Sequence, residues 1–390
     1  MTYEEKLARM IQQETISKVD QIDLTKFLKM HDLLKELFPN IFAKCEYENI
    51  DGSMLLKWPG SGKSKKPTLF MNHMDVVEAS GTWKYPPFSG EIAEGKLWGR
   101  GTQDTKGGLF IMLQAAEELA SEGFIPEHDI YFESACNEEV SGGGARKIAA
   151  LLKERGVDLE FVYDEGGKIM KEDGGLVAQI GVAEKAVVEL EFVASSKGGH
   201  ASKPPKNSPL VKLGRFMAAV DDAEDLFPEK YVEETGEMEK TTIAFTMAKG
   251  SDARNVLPTR ASVICSMRCS HHQGTKSSIE NVTKLAEKYG VEVNVLFDGL
   301  ESPISATSGP VFDKIVKSIK DVYPEAKIEP FLMLGATDSN YFTSICKDVY
   351  RFTPMICTRE QEDSVHSINE NVDLSALAPA VQSYKILMKL

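Results

Sequence analysis

The sequence predicts an α/β protein in two pieces: a largely parallel sheet flanked by helices, interrupted by an inserted α+β unit of ferredoxin-like order. Three observations predict it. Up to about residue 167, strand-length apolar runs alternate with helical patterns. From 185 to 297 the order becomes strand, helix, two strands, helix, strand, and from 298 the alternation resumes. A chain of 390 residues is also too long for one ordinary core. The expected division is 1–184 with 298–390 for one domain and 185–297 for the other.

Each element has a local reason. Residues 3–16 and 22–38 carry apolar side chains at helical spacing (Leu7, Met10, Ile11; Leu24, Phe27, Leu28, Leu34, Leu37), and Pro39 closes the second helix. Strand-like runs follow at 42–49, 53–58 and 67–72. The PGSGKSKK stretch before the third is not a phosphate loop, because Lys57 stands where the pattern needs glycine and a proline and a strand follow. It reads as a basic turn. A helix is expected at 106–122, a strand at 129–135 running into Asn137-Glu138-Glu139, and a helix at 145–155. A short strand, Glu160–Tyr163, then ends in Asp164-Glu165-Gly166-Gly167. In the insert, strands are expected at 185–195, 241–248, 259–269 and 290–297. A helix at 207–221 and one carrying Ile279, Val282 and Leu285 separate them, and a last helix covers 373–389.

Composition excludes some classes. The net charge of −14, from 45 basic and 59 acidic residues, argues against a nucleic-acid partner, which wants a basic surface. No apolar run reaches the ~18 residues of a membrane helix, and MTYEEKLARM lacks the features of an export signal. With six scattered cysteines the expectation is a cytoplasmic protein with reduced thiols. Cys265 and Cys269 have no second ligand pair at zinc-ribbon spacing and read as buried thiols.

The chemistry lies in a joint pattern. Successive strand-to-loop junctions carry His73/Asp75, Asp104, Glu138/Glu139 and Asp164/Glu165, and VHSINENV adds His366. Singly each is ordinary, but so many carboxylates in one cleft need cations to stay ionised. Two histidines and three carboxylates suit two zinc ions, or cobalt or manganese, when one carboxylate bridges them; a pair ~3.5–4 Å apart can share a hydroxide. One ion is assigned His73, Asp104 and Asp164, with Glu165 the alternative to Asp164. The other is assigned Asp104, Glu139 and His366. Asp75 is placed to accept the second ring N–H of His73. Adjacent residues at a strand end cannot both face one ion, so Glu138 is left to act as general base. His31, His128 and the His271-His272 pair have ordinary structural readings.

The segments HMDVV, GRGTQDTKGG, the Glu-Glu pair, YDEGG, GGHASKP, NVLPTRASVICSMR, GATDSNYF and HSINENV fall in the order seen in a known family. From about residue 60 onward the chain resembles the co-catalytic di-zinc metallopeptidases that include aminoacylase, glutamate carboxypeptidase and carboxypeptidase S. The nearest flavour is carboxypeptidase S and the N-acyl-amino-acid hydrolases. Thr105 stands where that family usually has methionine. The resemblance implies cleavage of a peptide or N-acyl amide bond beside a free carboxylate, and a homodimer whose inserted domain is both lid and interface. It implies that His200 reaches the partner's site to polarise the scissile carbonyl, and that Asn255 and Arg268 hold substrate. It further implies a cis peptide after Asp104 and a GATDSNYF segment near the metals. A non-catalytic binding protein on the same fold is the rival, and the full ligand set speaks against it.

Overall fold

The computed structural model describes residues 1–19, 23–62 and 65–390. Lys63 and Ser64 of the basic turn, and Ile22 at the expected start of the second helix, lie outside the described residues. Two compact units result: Met1–Ala183 with Ser305–Phe331 and Thr337–Leu390, and Glu184–Ile304 with Leu332–Ala336.

The eight-stranded sheet runs in the order 46–50, 53–58, 130–134, 68–71, 162–172, 349–358, 175–184, 327–333. Its four middle strands, from 130–134 to 349–358, are mutually parallel. Both faces are apolar, as such strands require when helices cover each side. Leu69 and Met71 share a core with Ile148 and Leu152 of the helix Gly144–Glu154. Phe70, pointing the other way, packs on Phe132 and on Tyr384 of the helix Leu374–Lys389. That helix lies along Lys106–Ser121, which is buried over nearly its whole length. Parallel strands end on one side, so the loops after Met71 and Ser134 open on the same edge of the sheet, where α/β folds carry their chemistry.

Several elements differ from expectation: the strand expected at 42–49 runs Glu46–Ile50, and the helix expected at 3–16 ends at Gln12. Pro39 opens a short helix, Pro39–Lys44, instead of only closing the one before, because proline suits a first helical turn. The strand expected to stop at Tyr163 continues as Val162–Glu172. It turns back into an antiparallel strand, Gly175–Glu184, that the two glycines and weak alternation of GLVAQIGVAE had hidden.

The second unit has a four-stranded antiparallel sheet in the order 242–249, 260–269, 186–195, 292–298, with helices Pro209–Asp221 and Gly274–Lys288. In chain order that is 2-3-1-4, the ferredoxin-like arrangement. The expected interval, 185–297, lies inside this unit. Cys265 and Cys269 are buried, and none of the six cysteines forms a disulfide. Among the described residues no helix is long and apolar enough to cross a membrane.

Candidate metal centre

His73 follows the strand Thr68–Met71 and is buried. Its Nδ1 lies 3.0 Å from the Asp75 carbonyl oxygen and 3.3 Å from Asp75 Oδ1. A carbonyl can only accept, so the neutral ring carries its proton on Nδ1 and turns the lone pair of Nε2 into the site. There Nε2 lies 3.0 Å from Asp104 Oδ1 and 3.2 Å from Glu165 Oε1. His366 Nε2 lies 3.0 Å from Asp104 Oδ2 and 2.9 Å from Glu139 Oε2. Two groups of three ligand atoms result, and Asp104 gives one oxygen to each.

A lone pair facing two carboxylate oxygens is repulsive unless a positive charge lies between them. The protonation equilibria say the same. Burial opposes charging His73, but Glu165 and Asp104 outweigh it and raise its pKa. Asp104 and Glu139 push His366 up to about 10. Burial likewise works against ionised Asp104, yet its hydrogen bonds to His366 and His73 hold it below the usual carboxylate range. Ligand atoms about 2.0–2.1 Å from a tetrahedral zinc sit about 3.3 Å apart, so the donor types and spacings both fit a pair of divalent ions. Glu139 Oε1, buried and without a hydrogen-bond partner, has spare capacity for one.

Asp75 does more than face the His73 ring. Wholly buried, it accepts hydrogen bonds from the backbone N–H of Glu138 at Oδ1 and of Glu139 at Oδ2 (3.1 Å each), and from the Ser17 hydroxyl at Oδ2 (2.6 Å). It therefore sets the short turn Glu138–Val140 that follows Ser134. Glu139 turns to His366, while Glu138 Oε2 stays 3.9 Å from His73 Nε2. Burial lifts the Glu138 carboxyl well above the usual range; His73 opposes this, and Glu165, Asp338 and Asp104 add to it.

The structure puts Glu165, not Asp164, beside His73 and Asp104. Asp164 instead accepts the Ser339 N–H at 3.1 Å. The reason is a bulge: Arg351 pairs with Asp164 but Phe352 with Gly167, leaving Glu165 and Gly166 unopposed. Gly166 has φ 127°, and such irregularities re-aim side chains. A Cβ on Gly167 would lie 1.8 Å from the Gln179 carbonyl oxygen, so glycine alone lets the next strand close in.

The Asp104–Thr105 peptide is cis. In the GATDSNYF segment, Asp338 is buried, and its carboxyl is raised by that burial and by Asp164 and Asp75. Sequence reasoning missed Ser17 and Glu370. Ser17 gave no signal, being one hydroxyl in a polar stretch, and Glu370 read as part of the histidine motif without a role of its own.

In the second unit, His200 and Asn255 come together on an exposed ladder. Gly199–His200 pairs with Val256–Leu257, and the Ala201 N–H donates to the Asn255 carbonyl at 3.0 Å. His200 Nδ1 accepts from the Ser202 N–H at 3.2 Å, which leaves Nε2 as the outward donor of the neutral ring. Arg268 lies on a different strand from that ladder, in Arg260–Cys269, and pairs with Val187.

A mixed α/β sheet whose strand ends bring together two overlapping histidine–carboxylate clusters is suited to hold divalent ions. The chain belongs to peptidase family M20/M25/M40, whose model matches residues 69–390. It is 27% identical to the probable carboxypeptidase S-like 2 of Dictyostelium discoideum over 99% of this chain and 84% of that protein. It is 30% identical to an N-fatty-acyl-amino acid synthase/hydrolase of Danio rerio, over 98% and 84%. Among solved structures, an M20 family metallo-carboxypeptidase from Sulfolobus solfataricus superposes with a TM-score of 0.78 at 18% identity, covering 100% of this chain and 99% of that one. With that membership the protein is a hydrolase acting on peptide or amide bonds.

Proposed function

We propose that the protein is a two-ion hydrolase of zinc type that cleaves a peptide or N-acyl amide bond next to a free carboxylate. The observation that carries this reading is Asp104, with one carboxylate oxygen in each donor cluster. His73, Asp104 and Glu165 would hold one ion and Asp104, Glu139 and His366 the other, Glu165 taking the place first assigned to Asp164. Two such ions would supply Lewis acidity, polarising a carbonyl and acidifying a bound water. Glu138 takes the water's proton and passes it to the leaving amine, a task suited to a carboxyl whose pKa is raised. Asp75 holds Glu138 and His73 in register.

The inserted unit supplies the substrate contacts. His200 Nε2–H donates to the carbonyl oxygen as charge develops there. Asn255 binds a polar group, and the Arg268 guanidinium takes the free carboxylate. The likeness to dimeric relatives implied by the sequence motifs supports a homodimer in which His200 serves the partner's site. Leu210, Val211, Met247 and Val256 are exposed apolar residues of this unit, Met247 at 65%, and strand 242–249 has an open edge. A cytoplasmic location suits six cysteines outside any disulfide.

Mixed dimers test the reading. Glu138→Ala should keep two ions per subunit and lose turnover by orders of magnitude. Mixed with His200→Ala subunits, it should recover part of the activity, because one of the two sites is then whole. Intact turnover in Glu138→Ala, or no recovery in verified mixed dimers, refutes the roles given. The likeness to N-fatty-acyl-amino acid synthase/hydrolases favours a second reading, an aminoacylase. N-acyl amino acids tested beside dipeptides with free and blocked C-termini separate the two.

A further inference from the structure

Glu370 lies four residues beyond His366 and is fully buried. Its Oε2 accepts from Arg100 Nη1 at 2.7 Å and from the Gly101 N–H at 3.0 Å. Its Oε1 accepts from the Gln103 N–H at 2.7 Å and from the Asp104 N–H at 3.1 Å. The Glu370 carbonyl accepts the Gly99 N–H at 2.9 Å. Arg100, also buried, sends Nη2 to the carbonyl of Ser367, the residue after His366, at 2.7 Å. Gln103 Nε2 reaches the Asn371 carbonyl at 2.9 Å. The loop that ends in Asp104 and the loop that carries His366 are therefore laced together, by side chains 270 residues apart in the case of Arg100 and Glu370.

A buried ion pair is a poor way to gain stability, since desolvation offsets most of its attraction. This one has a different use. The backbone N–H of Asp104 itself is a donor to it, and its other arm ends beside His366. His366 needs such help: its side chain is 53% exposed and its φ is 57°, whereas the His73 side chain is 2% exposed and held by Asp75. Among the described residues, neither His73 nor Glu165 bonds to Glu370; only the shared Asp104 links that side of the site to it.

We infer that Glu370, with Arg100, is a positioning residue that sets the distance between Asp104 and His366 and so determines the affinity of the ion held by Asp104, Glu139 and His366. The proposal rests on the two-ion reading above. Loss of a group that orients metal ligands typically weakens binding about 10- to 100-fold.

The test measures zinc binding to metal-free protein by competition with a chromophoric chelator, alongside the d–d spectrum of the cobalt-loaded form and the unfolding midpoint of the metal-free form. Wild type should take up two ions. Glu370→Gln should bind one as before and the other about 10- to 100-fold more weakly, with the cobalt band of one site altered. Arg100→Lys keeps the charge next to Glu370 but loses the reach to Ser367, and should weaken the same ion by a smaller factor. Should Glu370→Gln not fold, Arg100→Lys carries the test alone. Unchanged affinity for both ions in a folded variant, or equal weakening of both, overturns the proposal. A wild type that binds fewer than two ions would instead bring down the two-ion reading beneath it.

Discussion

Asp75→Asn isolates what the buried carboxylate does. In the native site Oδ1 accepts from the Glu138 N–H and Oδ2 from the Glu139 N–H and the Ser17 hydroxyl. An amide has one oxygen. Whichever way it is turned, its NH2 faces one of the two glutamate N–H groups, and that donor is left unpaired inside the protein. An orphaned buried donor costs about 1–3 kcal/mol, and the surviving bonds lose their charge assistance. A loss of about 2–4 kcal/mol in stability is expected from these two terms. The effect on rate should be larger in kind. Asp75 is the side-chain acceptor of both N–H groups in the turn that carries Glu138, and a shift of ~1 Å in a reacting group can lower rate about 100-fold. Urea unfolding followed by tryptophan fluorescence reads the first effect, and steady-state kinetics on one good substrate reads the second. The expected pattern is a fall in kcat of about 100-fold or more with KM nearly unchanged. A kcat within fivefold of wild type would show that Asp75 does not position Glu138.

Two further outcomes follow from named contacts. Glu165→Gln should lower the affinity for one zinc ion, whereas Asp164→Asn should leave both ions bound and act through the Ser339 segment; equilibrium dialysis that found the reverse would restore Asp164 as ligand. His31 is buried beside the Tyr47 hydroxyl, and burial, with Lys35 adding, lowers its pKa from 6.5 to about 4. The unfolded chain then binds the proton first, so this contribution is complete above pH 6.5 and is lost as pH falls towards 4, to a limit of about 3 kcal/mol. His31→Gln should flatten the urea midpoint between pH 6.5 and 4 relative to wild type, and an unchanged slope would contradict the assignment.

Much of this was readable beforehand because the chemistry needs particular residue types at strand ends. A strand's length and apolarity are local properties, so Leu69–Met71 announced itself, and with it His73 and Asp75. The order of histidines and carboxylates along the chain was equally open to reading. What could not be read was orientation. Asp164 and Glu165 are adjacent acids, and only the two residues left unopposed across from Arg351 and Phe352 decide which one turns to the site. Pairing over long separations was hidden for the same reason. Glu370 in INENV has the look of a surface acid until Arg100 is folded against it, and Ser17 matters only because Ile16 bridges to Val76 and brings its hydroxyl to Asp75. The strand Gly175–Glu184 escaped because its glycines blur the two-residue period.

The division of the sheet by an inserted unit has a consequence for biogenesis. Proteins are made and begin to fold from the N-terminal side. His73, Asp104, Glu138, Glu139 and Glu165 all precede the insertion, but His366 and Glu370 are translated only after it. A ribosome-bound chain that has not passed those residues holds one complete set of three and two of the three residues of the other. Any hydrolysis that needs both clusters is thereby deferred until the inserted unit has been made.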